Sequence, residues 1–153
     1  WFEERNWKKT RKVLDGFEER HKDATKNAVA VLLRQRTYEL EEMPRKQPWL
    51  AGLMSAIVPG TGQFYEERWG DGVQSLLITG VFGAATAASW YAEYHYGYSN
   101  WVIPSVMGVG FLVFYVANIY GAVNGARMVN ELRQYDMIGD TREQYMGALY
   151  DAD

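Results

Sequence analysis

Cysteine is absent from the 153 residues, which excludes disulfides, thiolate metal ligands and thiol nucleophiles. Histidine is almost as scarce. His95 has one acid near it, Glu93, while His21 lies far away in the chain, and a metal site usually asks for about three or four ligands; no metal is expected. An excess of positive charge is missing too, since 16 Lys plus Arg stand against 19 Asp plus Glu for a net charge of −3. Nucleic-acid binding normally leaves a basic footprint, so none is expected here. No serine sits in a Gly-x-Ser-x-Gly setting and no two carboxylates pair within an apolar run, so the chain reads as a non-enzyme without a cofactor.

The most informative scarcity is local. No charged residue occurs between Trp49 and Tyr65, and Glu93 is the only one between Gly72 and Ala126. Beyond residue 48 the only cations are Arg68, Arg127, Arg133 and Arg142. The mean hydropathy of −0.33 therefore averages a charged beginning with an apolar middle. A surface helix would show a polar side chain every three or four residues, and these runs have no such face. Gly72 to Tyr91 and Trp101 to Val123 each reach the roughly 20 residues needed to cross about 30 Å of hydrocarbon. The connection from Ala92 to Asn100 is short enough to force an antiparallel pair. It is crowded by Trp90, Tyr91, Tyr94, Tyr96, Tyr98 and Trp101, rings suited to headgroup depth. Phe64, Tyr65 and Trp69 supply the opposite belt.

A third apolar run, from Trp49 to Tyr65, is broken by Pro59, Gly60 and Gly62. Its first ten residues predict a short interfacial or re-entrant helix, and Pro-Gly-Thr-Gly predicts the turn that follows. The expected fold is an all-α membrane protein in four parts. These are a charged helical arm (1–47), the short helix with its Pro-Gly turn (48–71), a two-helix transmembrane hairpin (72–126) and a polar tail ending in a short helix (127–153). In the arm, Leu14, Phe17, Ala24, Ala28, Val31 and Tyr38 recur near helical spacing, with Gly16 as a candidate break. Asp140 or Thr141, with Glu143, predicts the cap of the last helix. The sequence opens on Trp, not Met, so a missing or processed beginning is expected.

Small residues recur in the apolar runs. Gly80, Ala84 and Ala88, flanked by Gly83 and Ala87, and the row Ala117, Gly121 and Gly125 have the spacing that lets helix backbones approach in lipid. They are expected to pack the hairpin on itself, with a remaining face for a partner or another copy. Asn118, inside the second run, is expected to act as polar glue between helices. The turn Pro59, Gly60, Gly62, Gln63 and Tyr65 lacks the Lys-Ser/Thr of a phosphate loop, so its role is structural. Glu66, Glu67, Arg68 and Asp71 predict a solvated interfacial patch, in which Arg68 and Trp69 are candidate headgroup contacts. The basic run Lys8, Lys9, Arg11 and Lys12, hemmed in by acids, reads as a solvated helix face.

The run from Leu50 to Tyr65, followed by Arg68, Asp71-Gly72, Tyr115, Asn118-Ile119-Tyr120-Gly121-Ala122 and Asn130, resembles a set of bacterial membrane proteins, mostly uncharacterised, with a Pro-Gly-x-Gly-Gln-x-Tyr turn before a two-helix hairpin. The resemblance covers roughly residues 48 to 130. Many of the similar proteins carry helical repeats behind a signal peptide, which would put the termini in the periplasm, whereas Lys and Arg bias on the terminal side puts them in the cytoplasm. This sequence departs from the pattern at Glu67, where a Gly usually precedes the Arg, so a differently built loop is expected there. The functional expectation is a multi-pass accessory or scaffold subunit of the bacterial inner membrane. Its partners would be membrane lipids and other membrane subunits or further copies of itself. The alternatives are a small transporter or channel component formed by self-association, or a lipid-interacting protein.

Overall fold

The computed structural model describes residues 6–20, 24–97 and 101–150. Among these the chain is helical, without a strand: α1 (Trp7–Arg20), α2 (Ala24–Glu42), α3 (Pro48–Ile57), α4 (Thr61–Tyr65), α5 (Trp69–Tyr96) and α6 (Val102–Tyr150). Contacts gather into two units, one of Lys46–Asn130 and one of Trp1–Arg45 with Glu131–Asp153.

In the first of these units α3 begins with Pro48, whose fixed φ and missing N–H suit a helix start. Leu, Ala and Met carry it for 10 residues, about 15 Å at about 1.5 Å each. Pro59 ends it by forcing Val58 into extended backbone, at φ −134° and ψ 117°. Gly60 then takes φ +92°, and a Cβ there would lie 2.3 Å from the Gly72 carbonyl oxygen. Both the backbone and the space require glycine. The turn is tighter than the sequence suggests, because Thr61 and Gly62 already belong to α4. Gly62 lets α4 lie against α3 and α6, since its Cβ would meet the Ala51 carbonyl oxygen at 2.2 Å and the Ala122 Cβ at 2.7 Å. The small core is Ala51, Ala122 and Ala126, with Tyr65 against it.

α5 and α6 are long and apolar enough to cross a membrane. Within their most apolar stretches only 11% of residues are buried, so the rest of the described chain does not enclose them. They touch through Phe82 and Phe114, with ring centroids 4.8 Å apart, and through Gly83 with Phe111 and Gly108 with Thr86. The paired numbers run in opposite directions, as in antiparallel helices. α5 continues to Tyr96 and is capped by Gly97 at φ +67°, so the expected connection loses its first five residues to helix. Tyr98 to Asn100 lie outside the described residues.

In the other unit, Asn6 caps α1 by accepting the Lys9 N–H at 3.2 Å, and the helix passes through Gly16 without a break. α1 and α2 are joined by Arg11–Glu41 at 2.6 Å and Asp15–Arg34 at 3.3 Å. Val29, Ala30, Thr37 and Leu40 are the buried residues on α2, whereas Val31 and Tyr38 are exposed. Ala28 is exposed as well, so the expected positions 28, 31 and 38 face outward, while Thr37 is buried with its hydroxyl on the Arg34 carbonyl. Ala24 lies in the described backbone, but its side chain does not. The separate C-terminal helix is also corrected. α6 runs unbroken to Tyr150, and the Thr141 hydroxyl donates to the Met137 carbonyl at 2.7 Å instead of capping a new helix. A lone Gly139 costs a helix only about 1 kcal/mol, too little to end it.

Glu67 holds φ +68°, the only non-glycine in the left-handed region among the described residues. The loop is therefore built as a glycine would build it, with Glu67 bearing a cost of about 1–2 kcal/mol. Its pair with Lys46 at 2.9 Å is open to solvent and returns about 0–1 kcal/mol. Glu67→Gly is expected to unfold within about 1 kcal/mol of wild type, and Glu67→Val to lose about 2 kcal/mol, in thermal melts of the detergent-solubilised chain. Equal losses from both would contradict the strain.

Candidate functional site

The turn residues converge on Asn118 of α6. Its Oδ1 accepts the Gly60 N–H at 3.0 Å and Gln63 Nε2 at 3.1 Å, and its Nδ2 donates to the Ser55 carbonyl at 3.1 Å. Gln63 Nε2 also donates to the Asn118 carbonyl at 3.1 Å, while Gln63 Oε1 accepts the Ser55 hydroxyl at 3.0 Å. Ser55 Oγ in turn accepts the Gly62 N–H at 3.0 Å. Ser55, Gln63 and Asn118 are all buried, and a buried polar network strengthens its members only when each is satisfied, as these are. The Tyr115 hydroxyl donates to the Ala56 carbonyl near the end of α3. Asn118 therefore glues α6 to α3 and the turn that follows it, not to α5.

The entry to α3 is held the same way. The Asn130 side-chain amide accepts the Lys46 N–H at 2.8 Å and donates to the Lys46 carbonyl at 2.7 Å, copying a strand-like pair of backbone bonds. The Tyr65 hydroxyl accepts the Gln47 N–H at 3.2 Å, and Lys46 Nζ lies 4.8 Å from the centre of the Tyr65 ring.

At the exit from α4 the expected solvated patch is only partly so. The Glu66 side chain is 0% exposed and lies 3.1 Å from Arg68 Nη1, while Arg68 Nη2 reaches Asp71. Gly125 of α6 makes the room, since a Cβ there would fall 2.0 Å from Arg68 Nη1 and 2.1 Å from Glu66 Oε2. Burial pushes the Glu66 carboxyl above its ordinary value of 4.5, and the Arg68 guanidinium opposes that rise without cancelling it. Trp69 is exposed, its ring 5.3 Å from Phe64.

The small-residue rows are divided. Gly121 lies against Gln63 and Gly125 against Glu66 and Arg68. Ala117 is exposed beside the turn. On α5, Gly83 meets Phe111, whereas Gly80 has open space where a Cβ would be, and Ala84, Ala87 and Ala88 are exposed. The structure thus brings Pro59–Tyr65, Asn118, Gly121 and Gly125 into one cluster and leaves Gly80, Ala84, Ala87 and Ala88 facing outward. Ser55 and Glu66 are the members that residue type alone did not single out. Ser55 lies one α3 turn inside from Pro59, which is the available signal; Glu66 looks like any acid in a charged loop. The cluster's chemistry is hydrogen bonding and ion pairing, and among the described residues no three His, Cys, Asp or Glu side chains come together. Comparison with protein-family models, curated proteins and solved structures gives no match.

Removing the Asn118 carboxamide strands the Gly60 N–H and the Ser55 carbonyl, each worth about 1–3 kcal/mol when buried and unpaired. Asn118→Ala is expected to lower stability by about 3 kcal/mol or more in detergent unfolding. A loss below about 0.5 kcal/mol for Asn118→Ala would mean that water or a neighbour replaces it. Because the Glu66 value is raised on folding, its contribution is fully present below pH 4.5 and is lost as pH rises through the shifted value. The stability of wild type relative to Glu66→Gln should therefore fall as pH is raised above 4.5. A flat or rising difference would show that Arg68 outweighs burial.

Proposed function

We propose that this chain is a non-enzymatic, integral accessory or scaffold subunit of the bacterial inner membrane. In this reading α5 and α6 form a transmembrane hairpin, α3 enters part of the bilayer and returns, and the charged helices at the two ends of the chain meet water-soluble or juxtamembrane partners. The observation that carries it is the outward apolar surface of the two long helices, in which Leu77, Val81, Val109, Leu112, Val113 and Val116 are all exposed. Such a surface calls for lipid or for other membrane helices. The outward small row Gly80, Ala84 and Ala88 supports helix docking there, since small residues are how helices approach in lipid. The turn resemblance and the hydrogen-bonded network support a structural role for residues 48–71. The excess of Lys and Arg on the terminal side favours cytoplasmic termini.

A second copy of the chain could use the same row, which is the transporter or channel-component reading. Crosslinking in native membranes from a photoreactive residue at Ala84, followed by identification of the joined chain, separates the two. Joining to one different membrane subunit, lost in Gly80→Leu/Ala88→Leu, is the expected outcome. Joining only to another copy of this chain would favour self-association, and unchanged joining in the double variant would remove the row from the interface.

A further inference from the structure

Where Phe82 meets Phe114, α5 and α6 are in contact; closer to the turn they part. A cleft of about 310 Å³ opens there, walled by Asp71, Gln74, Ser75, Ile78 and Thr79 of α5. Phe114, Ala117, Asn118 and Gly121 of α6 face them, and Gln63 and Arg68 close the end. Both sets recur at three and four, so each is one face of its helix. From Asp71 to Thr79 the cleft descends about 12 Å along α5 at about 1.5 Å per residue. It starts at the charged helix entry and ends in the apolar stretch.

Thr86, Ser89 and Ser105 each donate to the carbonyl four residues back, which satisfies a hydroxyl in apolar surroundings. Gln74, Ser75 and Thr79 line the cleft, Thr79 only 2% exposed, so their side chains offer hydrogen-bonding groups to whatever occupies it. The charged end has a definite character as well. Arg68 and Asp71 present opposite charges side by side; Arg68 Nη1 pairs with Glu66 and Nη2 with Asp71, so both terminal nitrogens of the guanidinium are engaged. Of the five N–H donors of an arginine, several remain for a phosphate, and the half-exposed Asp71 carboxylate remains for an ammonium. A purely anionic group would face Glu66 and Asp71 with only Arg68 in its favour. Ile78, Phe114 and Ala117 add an apolar wall.

We infer that the cleft binds the headgroup and glycerol of one zwitterionic aminophospholipid, of the phosphatidylethanolamine type. The phosphate lies on Arg68 and the ammonium on Asp71. The ester carbonyls take hydrogen bonds from Gln74, Ser75 and Thr79, and the acyl chains leave over the exposed apolar surface of α5 and α6. The volume, at the low end of the roughly 300–1,000 Å³ of ligand pockets, suits a headgroup with its glycerol, not a whole lipid. A trimethylated choline headgroup has no N–H for Asp71, and a glycerol headgroup has no positive charge for it.

The test is native mass spectrometry of the full chain released from nanodiscs holding equal amounts of phosphatidylethanolamine, phosphatidylcholine and phosphatidylglycerol. Wild type is expected to retain one phosphatidylethanolamine per chain. Ala117→Phe, which fills the cleft from an exposed position, should cut that retention by about tenfold, equivalent to about 1.4 kcal/mol. Asp71→Asn, at a half-exposed site where the amide oxygen can still accept from Arg68, should shift retention from phosphatidylethanolamine toward phosphatidylglycerol, and this arm stands even if Ala117→Phe misfolds. Equal retention of the three lipids by wild type, no retention, or unchanged selectivity in Asp71→Asn would overturn the inference. It rests on α5 and α6 lying in a bilayer, so a chain that does not enter nanodiscs refutes that reading first.

Discussion

A helix of ten residues that stops among apolar side chains leaves backbone groups without partners, and the Asn118 carboxamide resolves this. It takes the Gly60 N–H, the Gln63 amide and the Ser55 carbonyl into one set of bonds. Without it, the Pro59 break would leave buried amides and carbonyls unpaired, at a cost of about 1–3 kcal/mol each. The other features of the cluster follow from bringing backbone this close to α6. Gly60 and Gly62 are there because a Cβ would strike backbone, and the core beside them is made of alanines.

The second constraint is electrostatic. Glu66 is buried at the exit from α4 and holds Arg68, which in turn holds Asp71 at the first turn of α5. Breaking such a pair is costly because the remaining charge is left unpaired. The pair sits in space that Gly125 leaves open, so the small row of α6 accommodates a charged anchor and a polar turn. That differs from simple helix-on-helix packing. It also fixes Arg68 and Asp71 at the mouth of the cleft, which links the architecture of the turn to the lipid chemistry proposed for it.

Much of the fold was legible because it depends on local rules. Two charge-free runs of sufficient length became α5 and α6, and Pro48 and Pro59 marked the bounds of α3. What was not legible depends on contacts between distant residues. Asn118 was expected to join helices, but residue type does not show which, and its partners lie 55 to 63 positions earlier in the chain. Glu66 looked solvated because nothing in its own segment shows that Gly125 makes room for it. On α2 the buried Thr37 hides its hydroxyl on the Arg34 carbonyl, which residue-type periodicity does not anticipate. Thr141 misled for the same reason, its hydroxyl serving the helix it was expected to end. The candidate site was half visible: its turn residues stood out as a motif, while Ser55 and Glu66 gain meaning only from their neighbours.

Alkaline extraction of membranes containing the full chain, without detergent, decides whether the outward apolar surface of α5 and α6 lies in a bilayer, as proposed. The chain is expected to stay with the pelleted membranes and to be released only by detergent. Recovery of the folded chain in the alkaline supernatant would refute the membrane reading.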